Sequence, residues 1–338
     1  MNPPRITLIL LAYNQQATAR AAAESCLAQQ CEPMEMVLSD DASTDATFAE
    51  LQAAADAYRG PHQVRVRRSP VNLGIGAHYN ALLRETSGEL LVTAAGDDLA
   101  VPHRVQCLVA AWDATGQRAD LIASHFQDMA ADGTLGNVVH TDDLALLTLE
   151  GWCRRRPFTV GATHAFTRRM MVRFGPFLPG VWYEDPIMAL RAITSGGAIT
   201  LPEPLVLYRT GGSSHRPETF QGDSLVAWVR TQSRRVLAEI AQHTHDAGIV
   251  EAQGGDGVQA AVVAALEPAR AREACLCALI DAPDVARRWH ACRAAAALPL
   301  GWRLRKFLTF TFPDQAAGLK WLKARWRGGT TRWARPPS

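Results

Sequence analysis

No apolar run in this 338-residue chain approaches the roughly 20 residues of a membrane-spanning helix. The run Ile6–Leu11 is too short for a signal-peptide core, and no small-residue cleavage site follows it. A cytoplasmic protein is therefore expected, with the inner face of the membrane left open. The seven cysteines (Cys26, Cys31, Cys107, Cys153, Cys275, Cys277 and Cys292) include no Cys-x-x-Cys pair, so reduced and mostly buried thiols are expected. The formal net charge of +2 gives no bulk excess of either sign, and no nucleic-acid partner is expected. Glycine is missing from Ala12-Tyr13-Asn14-Gln15-Gln16, the turn after the first apolar run. That excludes a dinucleotide fingerprint and disfavours the glycine-rich loop of a nucleotidyltransferase. Asn72-Leu73-Gly74-Ile75-Gly76 supplies two glycines of such a fingerprint, but Tyr79 holds the third position.

Strand and helix signals alternate through the first half. Ile6–Ala12 is continuously apolar, as a strand buried on both faces requires. Helical patterns at Gln16–Gln30, Thr47–Tyr58, Ile75–Thr86 and Pro102–Thr115 alternate with strand patterns at Met36–Ser39, Val64–Arg67, Leu90–Ala94 and Asp120–His125. Asp45 is a candidate cap for the second helix, and Asp132-Gly133 marks a hairpin. Further on, Leu147–Arg155, Arg168–Phe174 and Asp185–Thr194 read as helices, with short strands at Ala198–Leu201 and Leu205–Arg209. The fold class is α/β, a mostly parallel sheet with helices on both faces. After about Phe220 only helical patterns remain: Ser224–His243, Val258–Ile280 and Pro283–Ala297. The expected organisation is residues 1–219 as the α/β domain and 220–338 as a helical C-terminal region.

Acidic groups gather where open sheets bind ligands, at the carboxyl ends of strands. Asp97-Asp98 follows an apolar strand through Gly96, and both carboxylates cannot enter a core without partners. Together they suit a divalent cation that also holds a diphosphate, although a solvated turn has the same composition. Asp40-Asp41 ends the second strand. A receiver-type phosphoacceptor would place its acid pair after the first strand instead. Tyr13, beside Asn14, offers a flat face for a base or a core contact. Glu184-Asp185 opens a helix, where a carboxylate is stabilised as the anion, by capping alone or as a general base. His215, in Tyr208–Arg216, is a metal ligand, a diphosphate donor or a surface histidine.

Taken in order, these segments resemble the family-2 inverting glycosyltransferases with the GT-A fold. Ile6–Asn14 resembles the opening strand ending in Tyr-Asn, Ser39–Asp45 the Asp-Asp-x-Ser-x-Asp segment, and Asn72–Asn80 the Asn-x-Gly…Asn segment. Gly96-Asp97-Asp98 resembles the DXD metal motif, Gly161–Phe177 the acceptor-side region, Glu184-Asp185 the Glu-Asp motif, and Tyr208–His215 the loop over the nucleotide. The resemblance covers about residues 5–216. It implies a metal-dependent hexosyltransferase moving sugar from a nucleotide-diphosphate donor, UDP- or dTDP-linked, to a hydroxyl of a glycan or lipid-linked acceptor. Bacterial surface polysaccharide synthesis is the implied setting. Leu11, Tyr13, Asn14, Asp40 or Asp41, Asn72, Gly74, Asn80 and Asp97 would contact the nucleotide sugar. Asp98 and His215 would ligate Mn²⁺ or Mg²⁺. Asp185 would be the catalytic base, supported by Glu184. The rival of another class is a GT-A-fold nucleotide-sugar or glycan-binding protein without turnover.

The C-terminal stretch from Arg303 to Arg335 interleaves arginine and lysine with Trp302, Trp321, Trp326 and Trp333. Peripheral contact with an anionic membrane and a helix snorkelling its bases around the protein both fit that composition.

Overall fold

The first apolar run forms a strand whose alternate residues enter two different cores. In the computed structural model, which describes residues 5–211 and 223–312, Ile6, Leu8 and Leu10 pack into one core and Ile9 into the other. Period-two alternation sends neighbours to opposite faces, so a strand covered on both sides must be apolar throughout.

The elements follow in chain order. β1 (Ile6–Ala12), α1 (Ala19–Leu27), β2 (Glu35–Asp40), α2 (Thr47–Ala57), β3 (Gln63–Arg68), α3 (Ile75–Glu85) and β4 (Leu90–Ala95) alternate regularly. Then come β5 (Leu99–Ala100), α4 (Arg104–Ala114), the hairpin β6 (Leu121–Met129) and β7 (Leu135–Val139), α5 (Leu149–Arg154), β8 (Ala165–Thr167), α6 (Arg168–Phe174), α7 (Asp185–Ile193) and β9 (Ala198–Arg209). Four helices complete the described chain: α8 (Asp223–Ala252), α9 (Val258–Asp281), α10 (Val285–Ala294) and α11 (Leu300–Thr311).

The sheet runs β3-β2-β1-β4-β8-β6-β9-β5, with β7 on the edge of β6. The long ladders β3-β2, β2-β1, β1-β4 and β6-β9 are parallel; the antiparallel pairings of β8, β5 and β7 are short. Strand order reverses between β1 and β4, which makes a crevice outside their carboxyl ends. Residues of α1, α2 and α4 fill one face of the sheet; those of α3, α6 and α7 fill the other.

Three features depart from the sequence pattern. The two short strands expected at 198–201 and 205–209 are one strand, β9, because Pro202 and Glu203 bulge out between Leu201, paired with Ser124, and Pro204, paired with His125. The two-residue β5 and three-residue β8 are too short to leave a periodic signal. Asp45 accepts the Thr47 amide at 3.0 Å, while Ala46 is the residue at the α2 cap position.

Two units partition the described residues: those within Met1–Pro217 and Ala238–Ala265, and those within Glu218–Leu237 and Leu266–Ser338. The second unit has its own core around Leu276, Leu279, Cys292, Phe307 and Phe310. Within the first, the fully buried Arg191 of α7 makes a bidentate pair with Asp246 (2.7 and 3.1 Å). Gln242 donates to the same carboxylate at 2.8 Å, and Arg191 reaches the Gly175 carbonyl at 3.2 Å. Removing one partner of a buried pair leaves an uncompensated charge. Asp246→Ala should cost about 3–5 kcal/mol in urea unfolding of the full chain, and Asp246→Asn less, because it keeps acceptor capacity.

Candidate active site

Loops from the ends of β1, β2 and β4 are spliced by backbone hydrogen bonds. The Gly96 amide donates to the Leu11 carbonyl at 2.8 Å, and the Asp41 amide to the Ala12 carbonyl at 2.9 Å. A Cβ at Gly96 would lie 2.5 Å from Gln15 Oε1 and 2.8 Å from Ala12 Cβ, so only glycine permits this approach. Asn14, at φ 51°, receives the Thr44 amide on its side chain at 2.9 Å and donates its own amide to Ser43 Oγ at 2.8 Å. Between these loops Tyr13 stays 39% exposed. The crevice therefore has an accessible aromatic face at its floor.

The two acids ending β2 have different partners. Asp40 has no exposed surface; it accepts the Ser43 amide and hydroxyl and pairs with Arg68 Nε at 3.2 Å. Asp41 accepts the Leu73 amide at 3.0 Å and the Gly74 amide at 2.9 Å. Asn72 Oδ1 also accepts from the Gly74 amide, at 3.1 Å, and Gly74 has the positive φ of 72° that glycine tolerates. Thus Asp41 fixes the loop that opens α3.

From α3 the geometry passes to the second acidic motif. Asn80 Nδ2 donates to the Phe177 carbonyl (2.9 Å), and its Oδ1 accepts the Phe177 amide (2.8 Å). Both ends of the Asn80 amide are spent on the segment that leads into Glu184-Asp185. Glu184 is buried, and a Cβ at Gly161 would overlap its Oε1. Burial, then the neighbouring Asp185 charge, raises the Glu184 carboxyl to about 8. Burial raises Asp185 to about 6, opposed by the amides of Asp185 and Gly161. The two carboxyls are raised together, so at neutral pH the pair shares about one proton and one negative charge.

Asp98 is the best candidate for a cation ligand. It is 6% exposed; Oδ1 accepts the Arg209 amide at 2.9 Å, while Oδ2 is buried with no hydrogen-bond partner among the described residues. Burial, then Asp97, raises its carboxyl to about 7. A buried carboxylate oxygen without a donor is costly, and a hard divalent cation is the partner its chemistry fits. Tyr208, whose ring is tilted 50° against that of Phe126 at 5.0 Å between centroids, is raised to about 12 by burial and then by Asp98, Asp97 and Asp185. The acids after β4 and the acid opening α7 thus act on one phenol and share one neighbourhood. His215 lies outside the described residues.

Sequence reasoning singled out neither Arg209, whose amide holds Asp98 and whose Nε donates to the Asp97 carbonyl at 3.0 Å, nor Arg104. Arg104 is fully buried and donates from Nη2 to the carbonyls of Thr93 and Ala162, both at 2.7 Å. It ties β4 to the Gly161–Thr163 turn that packs on Glu184. Backbone contacts of this kind leave no motif.

Residues 7–137 match the family described as glycosyl transferase family 2. The succinoglycan biosynthesis protein ExoO of Rhizobium meliloti is 31% identical over 153 residues, 44% of this chain and 42% of that protein. An uncharacterized glycosyltransferase of Nostoc sp. is 28% identical over 62% of this chain and 66% of its own length. The chain thus aligns with less than two thirds of either relative. Staphylococcus aureus TarS 1-349, solved with UDP-GlcNAc, superposes with TM-score 0.53 at 15% identity, covering 98% of this chain and 94% of that one. The mannosyltransferase PcManGT of Pyrobaculum calidifontis, solved with GDP-Man and Mn²⁺, gives 0.50 at 18%, covering 95% and 88%. The fold is that of the GT-A glycosyltransferases.

A carboxyl raised in the folded state keeps its proton longer than in the unfolded chain, so the folded form is favoured below the unfolded pKa and that advantage fades as pH rises. For Glu184 the window runs from its ordinary 4.5 to about 8. Melting temperatures of Glu184→Gln measured across that window should fall less steeply with pH than those of the wild type. Parallel slopes would show that Glu184 is ionised throughout.

Proposed function

We propose that this chain is a metal-dependent inverting glycosyltransferase that moves a sugar from a nucleotide diphosphate to a hydroxyl of a glycan or lipid-linked acceptor. The observation that carries the reading is the partnerless buried oxygen of Asp98 in the same neighbourhood as Asp97 and Asp185. The fold supports it, and the name of the relative ExoO supports a setting in bacterial surface polysaccharide synthesis. Work at the inner face of the membrane suits a lipid-linked acceptor; among the described residues no helix is long and apolar enough to cross a membrane.

The roles follow the family resemblance of the sequence. Tyr13 stacks on the base, beside the backbone of Leu11; a UDP- or dTDP-linked donor is what the family resemblance implies. Asp41 keeps the Asn72–Gly74 loop against the nucleoside, while Asn14, Asp40 and Asn80 hold the surrounding backbone in place. Asp97 takes the ribose or donor sugar. Asp98 would hold Mn²⁺ or Mg²⁺, with His215 as a second ligand by sequence resemblance. That ion, when bound, supplies positive charge against the diphosphate leaving group. Asp185 removes the acceptor hydroxyl's proton as the oxygen attacks the anomeric carbon opposite the diphosphate, so a single displacement inverts the anomer. Glu184, buried beside it, shares the pair's proton and supports it.

Base catalysis contributes about 10²–10⁴ in rate. Asp185→Asn should therefore lose transfer by that factor or more yet bind donor normally, whereas Asp98→Asn should lose Mn²⁺-dependent donor binding in calorimetry. The acceptor-saturated rate of wild type should climb with pH through about 6 and then level, because the base must be ionised. Normal turnover by Asp185→Asn would put the base elsewhere.

A further inference from the structure

In the first unit, among residues given no role above, three side chains of different chemistry converge. His103 stands at the cap position of α4 and Cys107 one turn later; the Cys107 amide donates to the His103 carbonyl at 3.0 Å, fixing them on one helix face. Glu203 comes from β9. His103 Nε2 lies 2.7 Å from Glu203 Oε1, and Cys107 Sγ lies 3.9 Å from Glu203 Oε2. One ligand atom from each lies within 4.8 Å of the other two.

The backbone under this cluster is built to present it. Glu203 occupies the β9 bulge with a proline on either side, so its φ/ψ freedom is restricted from both directions. The Val101 amide donates to the Leu205 carbonyl at 3.2 Å, holding the start of α4 against β9, and the Gln30 amide donates to the Pro102 carbonyl at 2.8 Å, tying it to the chain after α1. The bulge turns outward the one acid between two prolines, toward the one turn of α4 that carries both an imidazole and a thiol. A surface His–Glu pair alone would be worth little, and it would need neither the thiol nor the bulge.

We propose that His103, Cys107 and Glu203 form a zinc-binding site, separate from the cation site at Asp98. Nitrogen, thiolate sulfur and carboxylate oxygen are the donor set that this borderline-soft ion takes, and three protein ligands leave the fourth tetrahedral position to water. Charge balances: one thiolate and one carboxylate neutralise Zn²⁺, with the imidazole neutral. Tetrahedral ligands about 2.0–2.3 Å from the metal stand roughly 3.3–3.7 Å apart, within reach of side-chain rotations at this exposed position. Binding displaces the thiol proton to solvent, without any change of oxidation state. The bound ion would clasp α4 to β9, the strand that ends at Arg209 on Asp98.

Cobalt(II) alone, titrated into the full-length chain after chelator treatment, reads the site directly. The expected result is a thiolate-to-cobalt charge-transfer band with tetrahedral d–d bands, saturating at one equivalent and bleached by Zn²⁺. Cys107→Ser should abolish the band. His103→Ala and Glu203→Gln should each weaken cobalt by more than about tenfold, a loss that changes behind the ligands already cause in other metal sites. Asp98→Asn should leave the band in place, and metal-free melting curves should show all four variants folded. Absence of the band in wild type overturns the proposal. So does its survival in Cys107→Ser, its loss in Asp98→Asn, or unchanged affinity in His103→Ala or Glu203→Gln.

Discussion

A single amide, that of Gly96 on the Leu11 carbonyl, sets the geometry on which the acidic turn depends. It carries the parallel pairing of β1 and β4 one residue beyond β4, so the chain after β4 leaves the sheet directly over the chain after β1. A side chain at position 96 would meet Gln15 and Ala12, and the two loops would have to part. With them together, Asp97 and Asp98 stand over the reversal of strand order, the crevice that open α/β sheets use for ligands. The β9 end then locks the turn through the Arg209 amide and guanidinium.

The carboxyls around this crevice are poorly solvated, and the fold keeps them so. Asp98, Glu184 and Asp185 are all raised chiefly by burial, not by hydrogen bonding. Groups in that state oppose folding once they ionise, and the opposition must be met elsewhere. The two apolar cores and the buried Arg191–Asp246 pair lie in the same unit and can meet it. Desolvation also strengthens attraction between Asp98 and a cation, and it brings Asp185 closer to the basicity that proton removal requires. The same burial thus lowers stability and creates reactivity.

Much of the frame was legible because burial on both faces forces continuous apolar strands: Ile6–Ala12 and Leu90–Ala94 stand out for that reason alone. The acidic motifs were legible as residue types at strand and helix ends. What each acid does was not, since that depends on amides brought from distant positions: Leu73 and Gly74 onto Asp41, Arg209 onto Asp98. The prolines at 202 and 204 read as an interruption because a bulge and a break have the same composition; only the register with Ser124 and His125 separates them. Arg104 gave no signal at all, because a buried guanidinium that donates to backbone carbonyls leaves no complementary acid in the sequence to find.

Three of the adjacent acid pairs, Asp40-Asp41, Asp97-Asp98 and Glu184-Asp185, lie at strand ends or a helix start, and in each the two members diverge. Two neighbouring carboxylates in a low-dielectric site cannot both be ionised and unpartnered. Consecutive residues at a strand end or helix start also point to different sides. Asp40 turns inward to Ser43 and Arg68, and Asp41 turns to the α3 loop. Asp98 is buried against the Arg209 amide while Asp97 is more exposed. Glu184 is buried and Asp185 less covered, and the two carboxyls share about one proton. In the last two pairs the division is between an acid held by the fold and an acid presented to the crevice, though the member that serves chemistry differs. In the proposed mechanism the turn would use the buried one, because a cation can replace the donors it lacks, and the helix the more exposed one, because a base must reach a hydroxyl. The pairing of acids is therefore a way to set two electrostatic states from one backbone position, and it explains why neither member could be assigned from its neighbour.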